Sequence, residues 1–423
     1  MKYDVVIVGG GTSGMMAAIT AAKNGAQVAI IEKNKQLGKK LRLTGGGRCN
    51  VTNNRPPEEI IQFIPGNGKF LYSAFSQFNN YDIMTFFEEN NIPLKEEDHG
   101  RMFPVANTSK AIVSGLVDVL NQEKVAIFTK TTVTEIRTEH NQISGLVLDS
   151  GEEIETHCVV LTTGGKTYQY TGSTGDGYRF AKKLGHTITK LFPTESPIKS
   201  HDQFVQHKTL QGLALRDVTL SVLNEKQKII VSHQMDLLFT HFGVSGPAAL
   251  RCSMFVNQEL AKGQKFVPLE IDSLPEKSSK TLIKDIQALI EETPKKSVKN
   301  GLKGLLPDRY LEFLLTEADL IDIPQMNMLN ELQIVQFVGL VKAFPMTAYD
   351  TYPLDKSFVT GGGVHLKEIN PKTMESKIVE GLFFGGELLD INGYTGGFNI
   401  TAAFVTGHVA GKSAAEVASY YQY

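Results

Sequence analysis

Near its start the chain places glycines, small hydroxyls and a carboxylate at a spacing suited to holding phosphates and a ribose. Gly9-x-Gly11-x-x-Gly14, with Thr12 and Ser13 inside it, follows the apolar run 4–8, and Glu32 closes a second apolar run over 27–31. The first glycine permits a tight turn, Gly11 lets backbone approach a pyrophosphate, and Gly14 lets helix and strand pack closely. Glycine-rich turns are common, so the surrounding elements carry the inference. Residues 4–8 read as a buried parallel strand and 13–24 as a helix rich in alanine, stopped at Gly25. Glu32, at the end of the second strand, then stands where a carboxylate accepts hydrogen bonds from ribose hydroxyls. Free N–H groups at the helix start would face the phosphates.

A second group of residues follows. Lys33 and the segment 38–53, with Lys40, Gly46, Gly47, Arg48, Cys49 and Asn50, combine flexible glycines, cations and amide or hydroxyl donors, a composition able to wrap an anionic ligand. Arg48 suits pyrophosphate or a substrate carboxylate, and these neighbours favour pyrophosphate. Cys49 has no partner at redox spacing and reads as a packing or backbone-contact residue. Further on, the apolar strand 159–163 runs into Thr163-Gly164-Gly165. The strand 381–384 ends at Gly386-Glu387, with Asp390 close behind. Gly397-Phe398-Asn399-Ile400 then opens a helix of small residues reaching about 417, whose N-terminal dipole suits negative charge on phosphate or on a reduced flavin ring.

Bulk properties narrow the class. At 423 residues the chain exceeds one compact core, and its net charge of −2 gives no basic stripe for nucleic acid. No apolar stretch reaches the roughly 20 residues that a bilayer span needs. The first strand begins at once after Met1-Lys2, so no leader is expected and the protein is read as cytoplasmic. Its three cysteines, Cys49, Cys158 and Cys252, form no metal or disulfide pattern.

Between the motifs, 80–91 and 108–123 read as packing helices. Residues 126–130, 133–138, 143–148 and 153–157 alternate as a β-meander. Beyond 190 come strands at 219–223, 228–232 and 266–271, with 240–247 as a turn, and helices at 278–292, 296–305, 308–316 and 330–343 broken by prolines. The expected fold is α/β: a Rossmann-like domain with a β-meander built from both termini, an inserted β-barrel-like domain and a small helical domain. The expected bounds are 1–190 with 345–423, 191–272 with 325–344, and 273–324.

One glycine fingerprint, a meander, a strand ending in Thr163-Gly164-Gly165 and a terminal strand ending in Gly386-Glu387 together resemble the glutathione-reductase-type FAD fold. The order matters, because an NAD dehydrogenase has no need of the terminal strand and helix. The blocks 44–53, 171–177, 240–247 and 386–393 narrow the resemblance to the BaiN/YhiN-type NAD(P)/FAD-dependent oxidoreductases, over nearly the whole chain. That resemblance implies FAD as cofactor and an adenosine ribose at Glu32. It also implies an adenine contact from the backbone of Val133, and flavin contacts from both termini. Members include flavin reductases and dehydrogenases, among them enzymes reducing bile-acid-type enones, and an aminoacetone oxidase resembles the same group.

Flavin carries the redox step, so the protein must position a substrate carbon near N5 and supply a proton. Tyr168, His241 and His365 lie beside glycine-rich turns and are the candidate acids. A second glycine fingerprint for NAD(P)H is missing, so NAD(P)H is expected only as a transient electron donor docking over the flavin. The leading function is hydride transfer between FAD and a small or medium organic substrate, with enone reduction in view. The alternatives are a peroxide-forming amine oxidase and, from another class, a non-catalytic flavin-binding module. A small-molecule partner is expected, with no nucleic acid and no membrane.

Overall fold

The apolar run ahead of the first glycines becomes strand β1 (Val5–Val8), buried along its whole length. It feeds helix α1 (Thr12–Lys23), and the chain returns as β2 (Val28–Glu32). Three more strands complete a parallel sheet: β3 (Ala126–Thr129), β4 (Cys158–Leu161) and β5 (Leu382–Phe384). Their order is β5-β4-β1-β2-β3. Val6 pairs with both Ala29 and Val159, and Val159 with Leu382, so the two ends of the chain meet in one sheet. The computed structural model describes residues 1–421. It divides into one unit of 1–192 with 354 onward and a second of 193–353.

The small residues of the terminal helix α2 (Phe398–Ser419) have a specific cause. A Cβ on Gly407 would lie 2.3 Å from the Ser13 carbonyl oxygen, and one on Gly411 would lie 2.1 Å from that of Ala17. Only glycine allows α1 and α2 to approach this closely, one turn apart along both helices. The contact seats the terminal helix against the helix that begins at the glycine fingerprint.

Several expectations change. Residues 126–129 belong to the parallel sheet, with Ala126 opposite Ala29, so the meander has three strands, Val133–Glu139, Gln142–Leu148 and Glu153–Glu155. A short apolar run looks alike in either sheet; only its partner decides. The 240–247 turn leads into a helix missed from sequence, Pro247–Ala261, with Pro247 in its first turn. The expected helix over 296–305 shrinks to Val298–Gly301, cut short before Gly304 and Pro307.

In the second unit a seven-stranded sheet ends on Phe344–Ala348 at one edge and Asp350–Thr351 at the other. Only Tyr349 separates these edge strands in the chain, so the sheet curls back on itself as the barrel-like expectation requires. Phe344–Ala348 pairs with Val267–Asp272, which carries 345–353 into this unit rather than the nucleotide unit. The helical stretch is not separate either. Leu282, Ile286, Tyr310 and Leu314 share one core with Leu220, Val222, Phe239 and Val267. Among the described residues no helix is long and apolar enough to cross a membrane.

His408 of α2 stacks on Phe78 with ring centroids 4.0 Å apart, and its Nδ1 lies 3.2 Å from Thr20 Oγ1. Burial, helped by Lys412, lowers its pKa from 6.5 to about 4. Between those values the unfolded chain binds a proton that the folded chain does not. Stability is therefore full above about 6.5 and declines as pH falls toward 4. Melting temperatures measured from pH 7 to pH 4.5 should fall more steeply for the wild type than for H408Q.

Candidate active site

The glycine fingerprint folds as its spacing predicts. Gly9 has φ +103°, and a Cβ there would sit 2.7 Å from the Thr162 carbonyl oxygen. A Cβ on Gly14 would lie 1.9 Å from the Gly9 oxygen, whereas one on Gly11 would touch nothing within 4 Å. Gly14 is thus held by helix–strand packing, and Gly11 leaves its side of the turn open to a ligand. Gly11 caps α1 without a side-chain bond, and no acidic residue stands in the first turn, so the N–H groups there keep their capacity for an anion. The same holds at Gly397, φ +97°, at the start of the 22-residue α2.

Glu32 is 8% exposed. Its Oε2 accepts the Gly10 N–H at 2.9 Å, while Oε1 accepts both the backbone and the side-chain N–H of Asn34, each at 2.7 Å. A carboxylate takes about four hydrogen bonds, so Oε2 keeps room for a ribose hydroxyl.

Gly45, Gly46 and Gly47 all have positive φ, and a Cβ on Gly46 or Gly47 would meet nothing within 4 Å. Gly47 at φ +87° followed by Arg48 in the right-handed region is the change of hand that turns adjacent backbone N–H groups toward one concavity, a geometry that binds anions. Three buried side-chain atoms lack a hydrogen-bond partner among the described residues and belong to residues read from sequence as cofactor contacts: Ser13 Oγ, Asn50 Oδ1 and Thr163 Oγ1. Each faces a glycine of the surrounding backbone, Ser13 Oγ at Gly385, Asn50 Oδ1 at Gly397 and Thr163 Oγ1 at Gly177, where a Cβ would lie 2.5, 3.1 and 2.0 Å away, so close backbone packing covers all three. The donors, the open glycines and the ribose carboxylate together fit FAD.

Other expected contacts have protein partners. Arg48 donates to both oxygens of Glu97, at 2.8 and 3.0 Å, and its guanidinium lies 4.2 Å from the centroid of Phe103. Lys33 bonds Thr174 Oγ1 and Asp176 Oδ2, both at 2.6 Å. Asn399 closes the turn before α2 through Gly393. Cys49 is fully buried at φ +64°, and burial pushes its thiol up to about 12, which makes it inert as a nucleophile. Val133 begins the meander and is buried, as is Phe398, while Ile400 is half-buried.

Lys40 and Glu387 meet each other. Lys40 Nζ donates to Glu387 Oε2 at 2.7 Å and to Thr167 Oγ1 at 2.7 Å. Glu387 also accepts from the Thr360 N–H at 2.9 Å and the Gly165 N–H at 3.3 Å. Burial pushes the Glu387 carboxyl up, but Lys40 and those two N–H groups outweigh it and hold it below the usual carboxylate range. Thr360 and Thr167 escaped the sequence reading because single threonines carry no spacing signal. Thr162, whose Oγ1 donates to the Gly9 carbonyl at 2.8 Å, escaped for the same reason.

Among the candidate acids, Tyr168 and His365 lie in the first unit and His241 in the second. Tyr168 is half-buried at φ +50°, with Tyr170 and Phe358 each 5.9 Å away ring to ring. Burial, then Tyr170, raises its pKa, so the phenol keeps its proton at neutral pH. His365 Nδ1 lies 3.9 Å from Glu368, and His241 is exposed, edge-on to Phe242. Asp390 accepts from Thr189 Oγ1 at 3.0 Å, and burial raises its pKa.

The family model for the HI0933-like protein Rossmann domain matches residues 3–413. A 3-dehydro-bile acid delta(4,6)-reductase from Clostridium scindens is 30% identical over 97% of this chain and 98% of its own. A ribosomal RNA dihydrouridine synthase from Haemophilus influenzae is 28% identical over 96% of this chain and 97% of its own. The solved structure of a 3-ketosteroid-delta4-(5alpha)-dehydrogenase from Rhodococcus jostii RHA1 shares the fold, with TM-score 0.53 at 16% identity. It covers 98% of this chain and 97% of its own.

Removing the Glu387 carboxylate leaves Lys40 and two N–H groups without their acceptor. Urea unfolding should show E387A less stable by roughly 2–3 kcal/mol. Adding K40M to E387A should cost much less than K40M does alone.

Proposed function

Because this chain belongs to the HI0933-like family of FAD-dependent oxidoreductases, we propose that it reduces a carbon–carbon double bond conjugated to a carbonyl. The observation that carries this reading is that two relatives matching almost end to end have names describing that chemistry. A delta(4,6)-reductase saturates an unsaturated ketone, and dihydrouridine is uridine saturated across the bond conjugated to its C4 carbonyl.

Bound FAD, once reduced by the electron donor, would supply hydride from N5. The chain's own residues bind and orient it. Glu32 takes the ribose; the starts of α1 and α2 take negative charge; the open backbone at Gly11, Gly46 and Gly47 lies against its phosphates. Tyr168 holds the proton that the substrate α-carbon receives once hydride has gone to the β-carbon, a role its half-buried position close behind the Gly164-Gly165 turn supports.

The near-neutral charge supports a small or medium organic substrate over a polyanion, and the single glycine fingerprint supports transient docking of NAD(P)H as donor. The buried, unpaired Cys49, Cys158 and Cys252 support a reducing, cytoplasmic setting. The H. influenzae relative favours a second reading, a uridine in ribosomal RNA as the reduced group.

Anaerobic flavin bleaching by NAD(P)H, followed by reoxidation with a steroid enone or a uridine-containing ribosomal RNA fragment, tests these readings. Reoxidation by the enone supports the first and by the RNA alone the second. Bleaching only by an amine, with peroxide on re-aeration, would overturn both. Y168F should lower enone reduction by roughly a hundredfold while leaving bleaching by NAD(P)H unchanged.

A further inference from the structure

Asn34 stands two residues beyond the ribose carboxylate and uses every donor it has. Its backbone N–H and one side-chain N–H go to Glu32 Oε1, both at 2.7 Å. The second hydrogen of Nδ2 goes to the Thr171 carbonyl at 2.9 Å, so the amide bridges Glu32 and the segment 167–176. The approach is tight: a Cβ on Gly172 would lie 2.4 Å from Asn34 Nδ2, and Gly172 has φ +102°.

Residues around Asn34 grip the same segment. Lys33 reaches Thr174 and Asp176, Lys39 Nζ donates to the Tyr170 carbonyl at 2.5 Å, and Lys40 reaches Thr167. The gripped segment follows Gly164, at φ +74°, contains Gly172 and Gly175, at +102° and +90°, runs to the first residue of the helix Asp176–Lys183, and carries Tyr168. Its outer residues Gln169, Tyr170 and Thr174 are exposed, so polar clasps rather than an apolar core hold it down.

We propose that Asn34 is a positioning residue that couples recognition of the adenosine ribose at Glu32 to closure of the 167–176 strap. With Oε1 filled by Asn34, the Glu32 carboxylate is fixed with Oε2 toward Gly10 and the ribose. Opening the strap withdraws the Thr171 acceptor from Asn34 and frees the amide to turn away from Glu32. By linkage, a cofactor held at Glu32 favours the closed strap, and the closed strap favours retention of the cofactor. Ribose binding at one end of the site thereby sets the loop that holds Tyr168. The inference rests on the FAD site of the reading above and not on its substrate.

FAD release from the holoprotein, followed by fluorescence on dilution, tests the coupling in wild type, N34A, E32Q and the double variant. N34A should release FAD about tenfold faster, the scale of one lost hydrogen bond to a charged group. In the E32Q background the same change should fall below about twofold, because the charged acceptor through which Asn34 acts is gone. Limited proteolysis gives the second readout: FAD should protect 167–176 from cleavage in the wild type and much less in N34A. G172A, which crowds the amide from the strap side, should reproduce the faster release with Asn34 intact. Wild-type release by N34A, or an equal acceleration with and without Glu32, would overturn the proposal. Enone turnover enters neither readout, so failure of the substrate reading is seen separately.

Discussion

The ion pair between Lys40 and Glu387 joins residues 347 positions apart in the chain, and much of the site's geometry depends on it. Around one carboxylate meet the loop after β2, the turn after β4 through Gly165, the segment bearing Thr360 and the terminal strand's own turn. With Lys40 27% and Glu387 21% exposed, the pair is only partly desolvated, so its Coulomb attraction survives without the full cost of burying two charges. The Thr360 and Gly165 N–H groups bind Oε1 and Oε2 respectively, so both carboxylate oxygens are fixed and with them the direction of each loop. A sheet can bring strands side by side; this carboxylate sets how the loops beyond their ends face one another.

A second constraint is steric. The N-terminal dinucleotide unit and the C-terminal helix belong to one site because α1 and α2 lie almost in backbone contact at Gly407 and Gly411. The same economy of volume appears at Gly14 and Gly172. These glycines act by admitting a neighbour, whereas Gly11, Gly46 and Gly47 admit none from the protein and leave backbone free for a ligand. A glycine pattern therefore contains two different physical statements, and the distance to the nearest atom separates them.

Charged residues divide in a similar way. Arg48, Lys33 and Lys40 sit beside the nucleotide fold, and the sequence reading places all three at the cofactor. The fold supplies each with a carboxylate of its own: Glu97, Asp176 and Glu387. The groups left open beside them are neutral: N–H groups at the helix starts and the backbone of Gly11, Gly46 and Gly47. Such groups offer preorganised dipoles rather than net charge.

From the sequence alone, β1, α1, β2, the jobs of Gly9 and Gly14, the position of Glu32 and the membership of both termini in one flavin fold could be read. All of these follow from local requirements: a positive φ, an apolar period, a carboxylate one strand beyond a glycine turn. What only the tertiary structure decided was pairing. It moved 126–129 from the meander to the parallel sheet, carried 345–353 into the second unit, gave Arg48 and Lys40 to carboxylates, and tied Asn34 to Thr171. Chain neighbours determine backbone conformation within a few residues, but hydrogen bonds and ion pairs are settled by which groups arrive at the same place. That is a property of the whole fold, carried by no single stretch of the sequence.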